Sequence, residues 1–249
     1  MGSKTTVLGA GAWGTALAIH LARRGGDVTL WGHRREHLAQ LAQTRENSRY
    51  LPGVRLPDNL CLEPDLARAL NAAEYILVVV PSKAFIQTLE ALAPLTTAPV
   101  FWATKGLDVK SGRPLHEQAA RLLGARRGLG VLSGPSFARE VAAGLPTAVT
   151  VAANEMALAR RFAARVHSAT FRAYVSTDLV GVELGGAAKN VIAIAAGIAD
   201  GLGLGANARA GLITRDLAEL RRLGKALGAR PQTLIGLSGL GDLVLTATD

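Results

Sequence analysis

The 249-residue chain has few of the residues on which several protein classes depend. A single cysteine, Cys61, excludes a disulfide within the chain and agrees with a reducing compartment. The five histidines are scattered, and none stands beside a cysteine at metal-ligand spacing, so the sequence predicts no metal site. No basic segment with a following apolar stretch precedes the first apolar run, so we predict no signal peptide and a cytoplasmic protein.

Aromatic residues make up only 4% of the chain, and the basic residues occur in scattered pairs. The net charge of +9 would suit a nucleic-acid-binding protein, but such a protein also needs a basic run or aromatic side chains for stacking. We therefore expect no nucleic-acid partner, and a mild positive field that attracts anionic small molecules. The most apolar window, residues 184–199, contains Lys189 and Asn190 and is shorter than the roughly twenty residues of a membrane span. It predicts a buried helix and no membrane span.

Apolar, β-type runs alternate with helical patterns up to about residue 176, after which the chain is helical and rich in Ala, Gly and Leu. Strands are predicted at residues 4–8, 27–31, 75–80, 100–103, 130–132, 148–151 and 171–175. Helices are predicted at residues 15–24, 35–43, 82–93, 114–123, 136–143 and 155–167, with a loop over 47–64. The pattern predicts an α/β fold, a mostly parallel sheet with helices on both faces over residues 1–177, followed by an all-helical domain over 178–249.

The first thirty residues carry the motif Gly9-Ala10-Gly11-Ala12-Trp13-Gly14 between a predicted strand and a predicted helix. Strand, G-x-G-x-x-G, helix and strand in this order are typical of a Rossmann-type dinucleotide-binding domain. Gly9 allows the tight exit from the strand, Gly11 allows close approach of the pyrophosphate, and Gly14 allows the helix to pack near the sheet. The helix N-terminus offers free N–H groups to the phosphates.

Polar residues follow several predicted strands, where ligands of open α/β sheets bind. His33 and Arg34 follow the second strand, and an arginine there can pair with a 2′-phosphate, so NADP should be accepted. Lys83 and Lys105 follow two later strands as candidates for binding anions. In the turn Gly134-Pro135-Ser136, the serine can cap the next helix or contribute to a polar ligand pocket.

Lys189 is the most suggestive single residue, because a charge within an Ala- and Gly-rich helix is costly unless a partner is present. A desolvated lysine becomes a weaker base, which suits proton transfer near neutral pH. Asn190 adjoins it, and Glu183 and Asp242 are the candidate partners.

Several motifs together resemble the NAD(P)-dependent glycerol-3-phosphate dehydrogenases of the bacterial type, and the resemblance covers almost the whole chain. The segments that carry it are GAGAWGTALA, WGHRRE, NSRYLPGVRLPDNL, VVVPSKAF, ATKGL, LSGPSFAREVAAGLPTAV, VELGGAAKNVIAIAAGIADGLGLGANARA and LSGLGDLVLTATD. The resemblance implies reversible hydride transfer between NAD(P) and sn-glycerol 3-phosphate or dihydroxyacetone phosphate, which supplies glycerol phosphate for phospholipid synthesis. It also implies a homodimer.

The resemblance assigns roles residue by residue. Lys189 matches the proton acceptor, Asp242 a carboxylate near the reacting centre, and Lys105 a contact of both substrate and cofactor. The other matches to the cofactor site are Gly9, Gly11, Ala12, Trp13, Gly14, His33, Arg34 and Ala138. The other matches to the substrate site are Gly134, Ser136, Asn190 and Thr246.

The family pattern continues with a Ser-Arg-Asn block whose arginine binds the substrate phosphate, and this sequence stops before it. An arginine–phosphate pair is a strong contact, so we expect a C-terminally truncated, incomplete helical domain that binds cofactor but turns over poorly. Two alternatives stay open: a related dehydrogenase that acts on a hydroxy acid, and a nucleotide-binding regulator without catalysis.

Overall fold

The alternation of strand and helix patterns in the sequence is realised in the computed structural model, which describes residues 4–248. Residues 1–3 and Asp249 lie outside the described residues. The strands are β1 (Thr5–Leu8), β2 (Val28–Trp31), β3 (Glu46–Asn47), β4 (Leu51–Arg55), β5 (Leu60–Leu62), β6 (Tyr75–Val78), β7 (Val100–Trp102), β8 (Leu129–Ser133), β9 (Thr147–Ala153) and β10 (Phe171–Ser176). The helices are α1 (Ala12–Arg23), α2 (Arg35–Thr44), α3 (Leu66–Leu70), α4 (Ser82–Leu92), α5 (Leu115–Leu123), α6 (Ala138–Ala143), α7 (Met156–Val166), α8 (Leu179–Gly201), α9 (Gly205–Ala226), α10 (Pro231–Leu234) and α11 (Asp242–Thr248), with a π-helical turn at Leu237–Gly241.

Eight strands form one sheet in the order β10-β9-β8-β7-β6-β1-β2-β5. All neighbours are parallel except β8 and β9, so the predicted mostly parallel α/β sheet followed by a helical region is confirmed. Side chains of β6 alternate between two cores, since Leu77 packs with one cluster and Ile76 and Val78 with the other. Both faces of the sheet are therefore buried, which explains why β6 reads as a continuous apolar run.

The prediction of a loop over residues 47–64 is wrong. Strand β4 pairs with β3 in a small antiparallel ladder, and β5 extends the main sheet by pairing in parallel with β2. The strand β5 has three residues and includes the exposed Cys61, so it shows no apolar alternation in sequence. Its strand conformation depends on the pairing of Leu60 with Val28, a contact between distant parts of the chain.

The helical region begins three residues after β10 ends at Ser176 and forms its own core around Leu184, Leu220, Leu234 and Leu243. The prediction of a buried helix over residues 184–199 is only half right. Helix α8 is long and apolar enough to span a membrane by length and composition, and half of its most apolar stretch is buried by the rest of the chain. Its other face exposes a stripe that includes Val191, Ile194 and Ile198, because α9, α11 and the strand ends cover one side only.

Candidate active site

The glycine motif forms a tight turn between β1 and α1. Gly9 has a φ of +125°, and a Cβ there would lie 2.2 Å from the carbonyl oxygen of Val79. A Cβ on Gly14 would lie 1.9 Å from the carbonyl oxygen of Gly9, so the first turn of α1 rests directly on the motif. At Gly11, in contrast, a Cβ would meet nothing within 4 Å. Two glycines are thus required by protein packing, and Gly11 leaves an open cradle at the helix N-terminus of the kind that accommodates a pyrophosphate.

Two adjoining cavities form one groove along the carboxyl ends of β1, β2 and β6. They share Gly11, Val79, Val80 and Pro81. The first cavity, of about 200 Å³, is also lined by Gly9, Ala10, Gly32, His33, Arg34, His37 and Tyr50. The second, of about 400 Å³, is also lined by Ala12, Trp13, Gly14, Ala103, Thr104, Lys105 and Ser136. The groove therefore runs from the exposed Arg34 to Lys105 and has the glycine cradle and cationic ends that suit a dinucleotide.

Three residues of this groove region were missed by sequence reasoning. Asn47 is fully buried and donates hydrogen bonds to the carbonyl oxygen of Ala10 (3.1 Å) and to Oγ1 of Thr15 (2.8 Å), which holds the glycine turn in place. His37 Nε2 lies 3.1 Å from Asn47 Oδ1, and the rings of His37 and Tyr50 meet edge to face at 5.3 Å. For Asn47 and Tyr50 the sequence signal is the polar segment that begins at Asn47, which the pattern predicts as a loop, whereas His37 lies within the predicted helix over 35–43.

At the far end of the groove, two lysines share one buried carboxylate. Asp242, the first residue of α11, has no exposed side-chain surface and accepts hydrogen bonds from Nζ of Lys105 and from Nζ of Lys189 (2.5 Å for Lys189). Lys189 also donates to Oγ1 of Thr246 (3.1 Å), whose hydroxyl donates to the carbonyl oxygen of Asp242 (2.8 Å). Of the two carboxylates considered as partners of Lys189, the structure thus selects Asp242, and Glu183 binds other groups.

Close packing of small residues brings these groups together. Lys105 follows β7 and Lys189 lies on α8, and α8 packs through Gly186 against the end of β8 and through Gly185 against the π-helical turn. A Cβ on Gly186 would lie 2.8 Å from Oγ of Ser133, and a Cβ on Gly185 would lie 2.4 Å from the carbonyl oxygen of Ser238. The run Gly185-Gly186 therefore permits the close approach that lets Lys105, which follows β7, and Lys189, on α8, reach one carboxylate.

Burial and charge weaken Lys105 as a base. Burial lowers its pKa from 10.5 to about 8, the charge of Lys189 acts in the same direction, and Asp242 opposes both. Only 21% of its side chain is exposed. The cluster carries two cations and one anion, so one proton can leave it without stranding an unpaired charge. Sequence reasoning did not anticipate this effect at Lys105.

For Ser136 the sequence left two alternatives open, a helix cap and a polar ligand pocket. Ser136 lines the second cavity with Lys105 and does not cap the following helix. Helix α6 begins at Ala138 with Phe137 at its N-cap, and the Ser136 hydroxyl instead donates to the carbonyl oxygen of Gly134 (2.8 Å). The reason is the extended backbone of Phe137, which starts the helix later than the sequence pattern indicated.

The structure separates the remaining candidates. Gly134 is buried with a φ of +150°, and a Cβ there would lie 2.9 Å from the carbonyl oxygen of Ala148. Ala138 is half-buried against the core, and Asn190 is exposed beside Lys189. Lys83 is also exposed and lines a separate cavity between α4 and α5, outside the groove.

A dinucleotide groove that ends at a proton-holding lysine–carboxylate cluster defines a nicotinamide-dependent dehydrogenase with a Rossmann-type domain. Comparison with known proteins identifies the family. Models for the N-terminus and the C-terminus of NAD-dependent glycerol-3-phosphate dehydrogenase match residues 4–159 and 178–249. The chain belongs to the NAD(P)-dependent glycerol-3-phosphate dehydrogenase family, is an oxidoreductase of that activity and uses NAD or NADP.

Individual relatives agree over the whole chain. The glycerol-3-phosphate dehydrogenase [NAD(P)+] of Methylococcus capsulatus is 57% identical over 98% of this chain and 74% of its own length. That of Halorhodospira halophila is 55% identical over 100% of this chain and 75% of its own. The crystal structure of the Coxiella burnetii enzyme superposes with a TM-score of 0.95 at 47% identity, over 100% of this chain and 76% of that one. The chain thus spans about three quarters of the length of these relatives.

Proposed function

We propose that Lys189, Lys105 and Asp242 carry out the proton transfer that accompanies reversible hydride transfer between sn-glycerol 3-phosphate and dihydroxyacetone phosphate. The observation that supports this is the shared, fully buried carboxylate of Asp242, which holds both Nζ atoms beside the cofactor groove. The nicotinamide ring, when bound, supplies or accepts the hydride at its C4 atom. The chain's own residues therefore have two tasks, which are to position the reactants and to manage one proton.

The lysine cluster suits that proton. During oxidation of the alcohol, Nζ of Lys189 takes the proton of the C2 hydroxyl, and during reduction it returns that proton. Lys105, whose pKa of about 8 lies close to neutral pH, shares Asp242 with it and stabilises the negative charge that develops on the C2 oxygen. Asp242 keeps the two Nζ atoms in place and balances one of their charges. Thr246 fixes the Lys189 ammonium from its other side.

The remaining assignments follow the groove and the family resemblance. We propose that Gly9, Gly11 and Gly14 shape the phosphate cradle and that the other cofactor contacts are Ala12, Trp13, His33, Arg34, Lys105 and Ala138. Substrate contacts are proposed for Gly134, Ser136, Asn190 and Thr246, together with the lysine cluster. All of the proposed cofactor contacts except Ala138 line the groove, as does Ser136, and Thr246 bonds to Lys189. The support for Ala138, Gly134 and Asn190 is the family resemblance.

At the level of the whole protein, we propose a dinucleotide-binding domain over residues 1–177 and a substrate domain over residues 178–249. The change from strand to helix between Ser176 and Leu179 supports this boundary. We also propose a cytoplasmic homodimer that supplies glycerol phosphate for phospholipid synthesis, for which the family resemblance is the support.

The proposal is tested by the oxidation of NADH and NADPH with dihydroxyacetone phosphate, together with cofactor binding followed by nicotinamide fluorescence. Lys189→Ala should lower kcat by roughly 100- to 10,000-fold, the range of general acid–base catalysis, with little change in NADH affinity. Lys83→Ala is the matched control, because this lysine is exposed outside the groove, and it should turn over at the wild-type rate. An unchanged rate in Lys189→Ala, or cofactor binding without any turnover in the wild type, would contradict the catalytic proposal and favour a regulator.

A further inference from the structure

A second buried carboxylate, outside the lysine cluster, joins three elements of the fold. Glu183 lies on α8 with only 1% of its side chain exposed. Its Oε1 accepts hydrogen bonds from the indole Nε1–H of Trp102 (3.2 Å) and from the backbone N–H of His116 (3.1 Å). Its Oε2 accepts from Nδ1 of His116 (2.6 Å). One side chain of the helical region thus binds both β7 and the start of α5.

Helix α5 depends on this carboxylate for its N-terminal cap. The residue before the helix is Pro114, which makes no side-chain cap hydrogen bond, and His116 is the second helical residue. Free N–H groups in the first helical turn need an acceptor, and a negative charge is favoured there. Glu183 provides both from a distant part of the chain. The contact favours the protonated imidazole: burial acts to lower the pKa of His116, but the hydrogen bond and charge of Glu183, aided by Glu117, raise it overall.

The elements that Glu183 joins are those that carry the two lysines. Trp102 is the last residue of β7 and stands three residues before Lys105. Glu183 precedes Lys189 by six residues on the same helix. Trp102 cannot shift independently, because its ring is fully buried and meets Phe85 edge to face at 5.7 Å. The position of α8 along β7, and hence the distance between the two Nζ atoms, is therefore held at Asp242 on one side and at Glu183 on the other.

We propose that Glu183 is a positioning residue for the reaction, and that its hydrogen bonds to Trp102 and His116 hold α8 in the register that brings Lys189 and Lys105 to one carboxylate. This inference rests on the proposed function of the two lysines. It extends the functional site to three residues that touch neither the groove nor the lysine cluster. A purely structural link would stabilise the fold and leave the lysines unaffected.

The test removes the donors one at a time and leaves the carboxylate. Trp102→Phe keeps an aromatic ring against Phe85 but deletes the Nε1–H, His116→Ala deletes the ring donor, and His116→Asn restores a donor close to the position of Nδ1. Misplacement by about 1 Å can cost roughly 100-fold in rate, so a smaller loosening should lower kcat by about tenfold in Trp102→Phe and His116→Ala. KM should change less than kcat, and His116→Asn should recover most of the rate. Glu90→Gln, an exposed residue of α4 with no contact to this link, is the matched control and should behave as wild type.

A second readout does not require turnover. The pH dependence of Lys105 acetylation, followed by mass spectrometry, reports the pKa of its amine in the folded protein. In Trp102→Phe and His116→Ala the midpoint should move upward from about 8 towards 10.5, because a loosened α8 admits water, and labelling of the exposed Lys110 should not change. A lower melting temperature with unchanged kcat and unchanged Lys105 midpoint would overturn the proposal. If the wild type reduces no dihydroxyacetone phosphate, the proposed function fails, and the acetylation midpoint still decides whether Glu183 positions the lysines.

Discussion

Replacement of Asp242 by asparagine removes the charge on which both lysines depend while keeping the shape of the side chain. Asp242 is fully buried, and the side chains of Lys105 and Lys189 are only 21% and 11% exposed. Removing one partner of a buried ion pair leaves an uncompensated charge and typically costs about 3–5 kcal/mol. We therefore expect Asp242→Asn to lower the free energy of unfolding by about that amount at neutral pH, a large fraction of the total for a domain.

The free energy of unfolding that Asp242→Asn loses should depend on pH, because the charge of Lys105 depends on pH. Its pKa falls from 10.5 in the unfolded chain to about 8 in the fold, which corresponds to about 3 kcal/mol against the charged form. Between these two values the unfolded chain binds more protons, so the stability of the wild type rises with pH over this window. Without the charge of Asp242 the pKa of Lys105 in the folded protein falls further, so the pH range over which stability rises extends to lower pH. At about pH 10 the Lys105 amine is neutral in either folded protein, so the part of the loss that arises from its charge should disappear and the total loss should be smaller than at pH 7.

Urea unfolding at about pH 7 and about pH 10 measures both losses, provided that the m value stays constant. Asp200→Asn is the matched control, since Asp200 forms an exposed ion pair with Arg209 (2.9 Å) that should contribute less than about 1 kcal/mol. An equal loss at the two pH values, or a loss below about 1 kcal/mol at pH 7, would refute the electrostatic reasoning for this cluster.

Three further predictions concern the dinucleotide-binding domain. Gly14→Ala, with its Cβ 1.9 Å from the Gly9 carbonyl oxygen, should lower both the melting temperature and NADH affinity. Gly11→Ala should weaken NADH binding by about tenfold at an unchanged melting temperature. Equal melting temperatures of the two variants would contradict this reasoning. Burial lowers the pKa of His20 below 6.5, so its contribution to stability is present above pH 6.5 and lost as the pH falls through the lowered value. Thermal unfolding of His20→Gln should accordingly vary less with pH on the acid side than that of the wild type. Arg34→Ala should raise the Kd of NADPH about tenfold more than that of NADH, and equal changes would show that Arg34 does not contact the 2′-phosphate.

The sequence by itself determined the class of fold and the position of the cofactor loop. The continuous apolar run at β6 requires burial on both faces, and the glycine motif between strand and helix has few alternative uses. These are local patterns in which neighbouring residues carry the signal. Lys189 was also identified from a local pattern, because a charged residue within an apolar helix needs a partner. The small strands between residues 46 and 62 could not be predicted, because they carry no such local pattern.

Only the tertiary structure decided which groups meet. Glu183 and Asp242 were equal candidates in the sequence as partners of Lys189. With α8 packed through Gly185 and Gly186, Glu183 binds His116 at the start of α5, and Asp242 binds both lysines. The weakened base at Lys105 likewise arises from burial and from charges far away in the chain. Electrostatic effects fall off over a few ångströms in space and take no account of separation in sequence. A sequence therefore contains the charged residues, and the fold determines which of them form ion pairs.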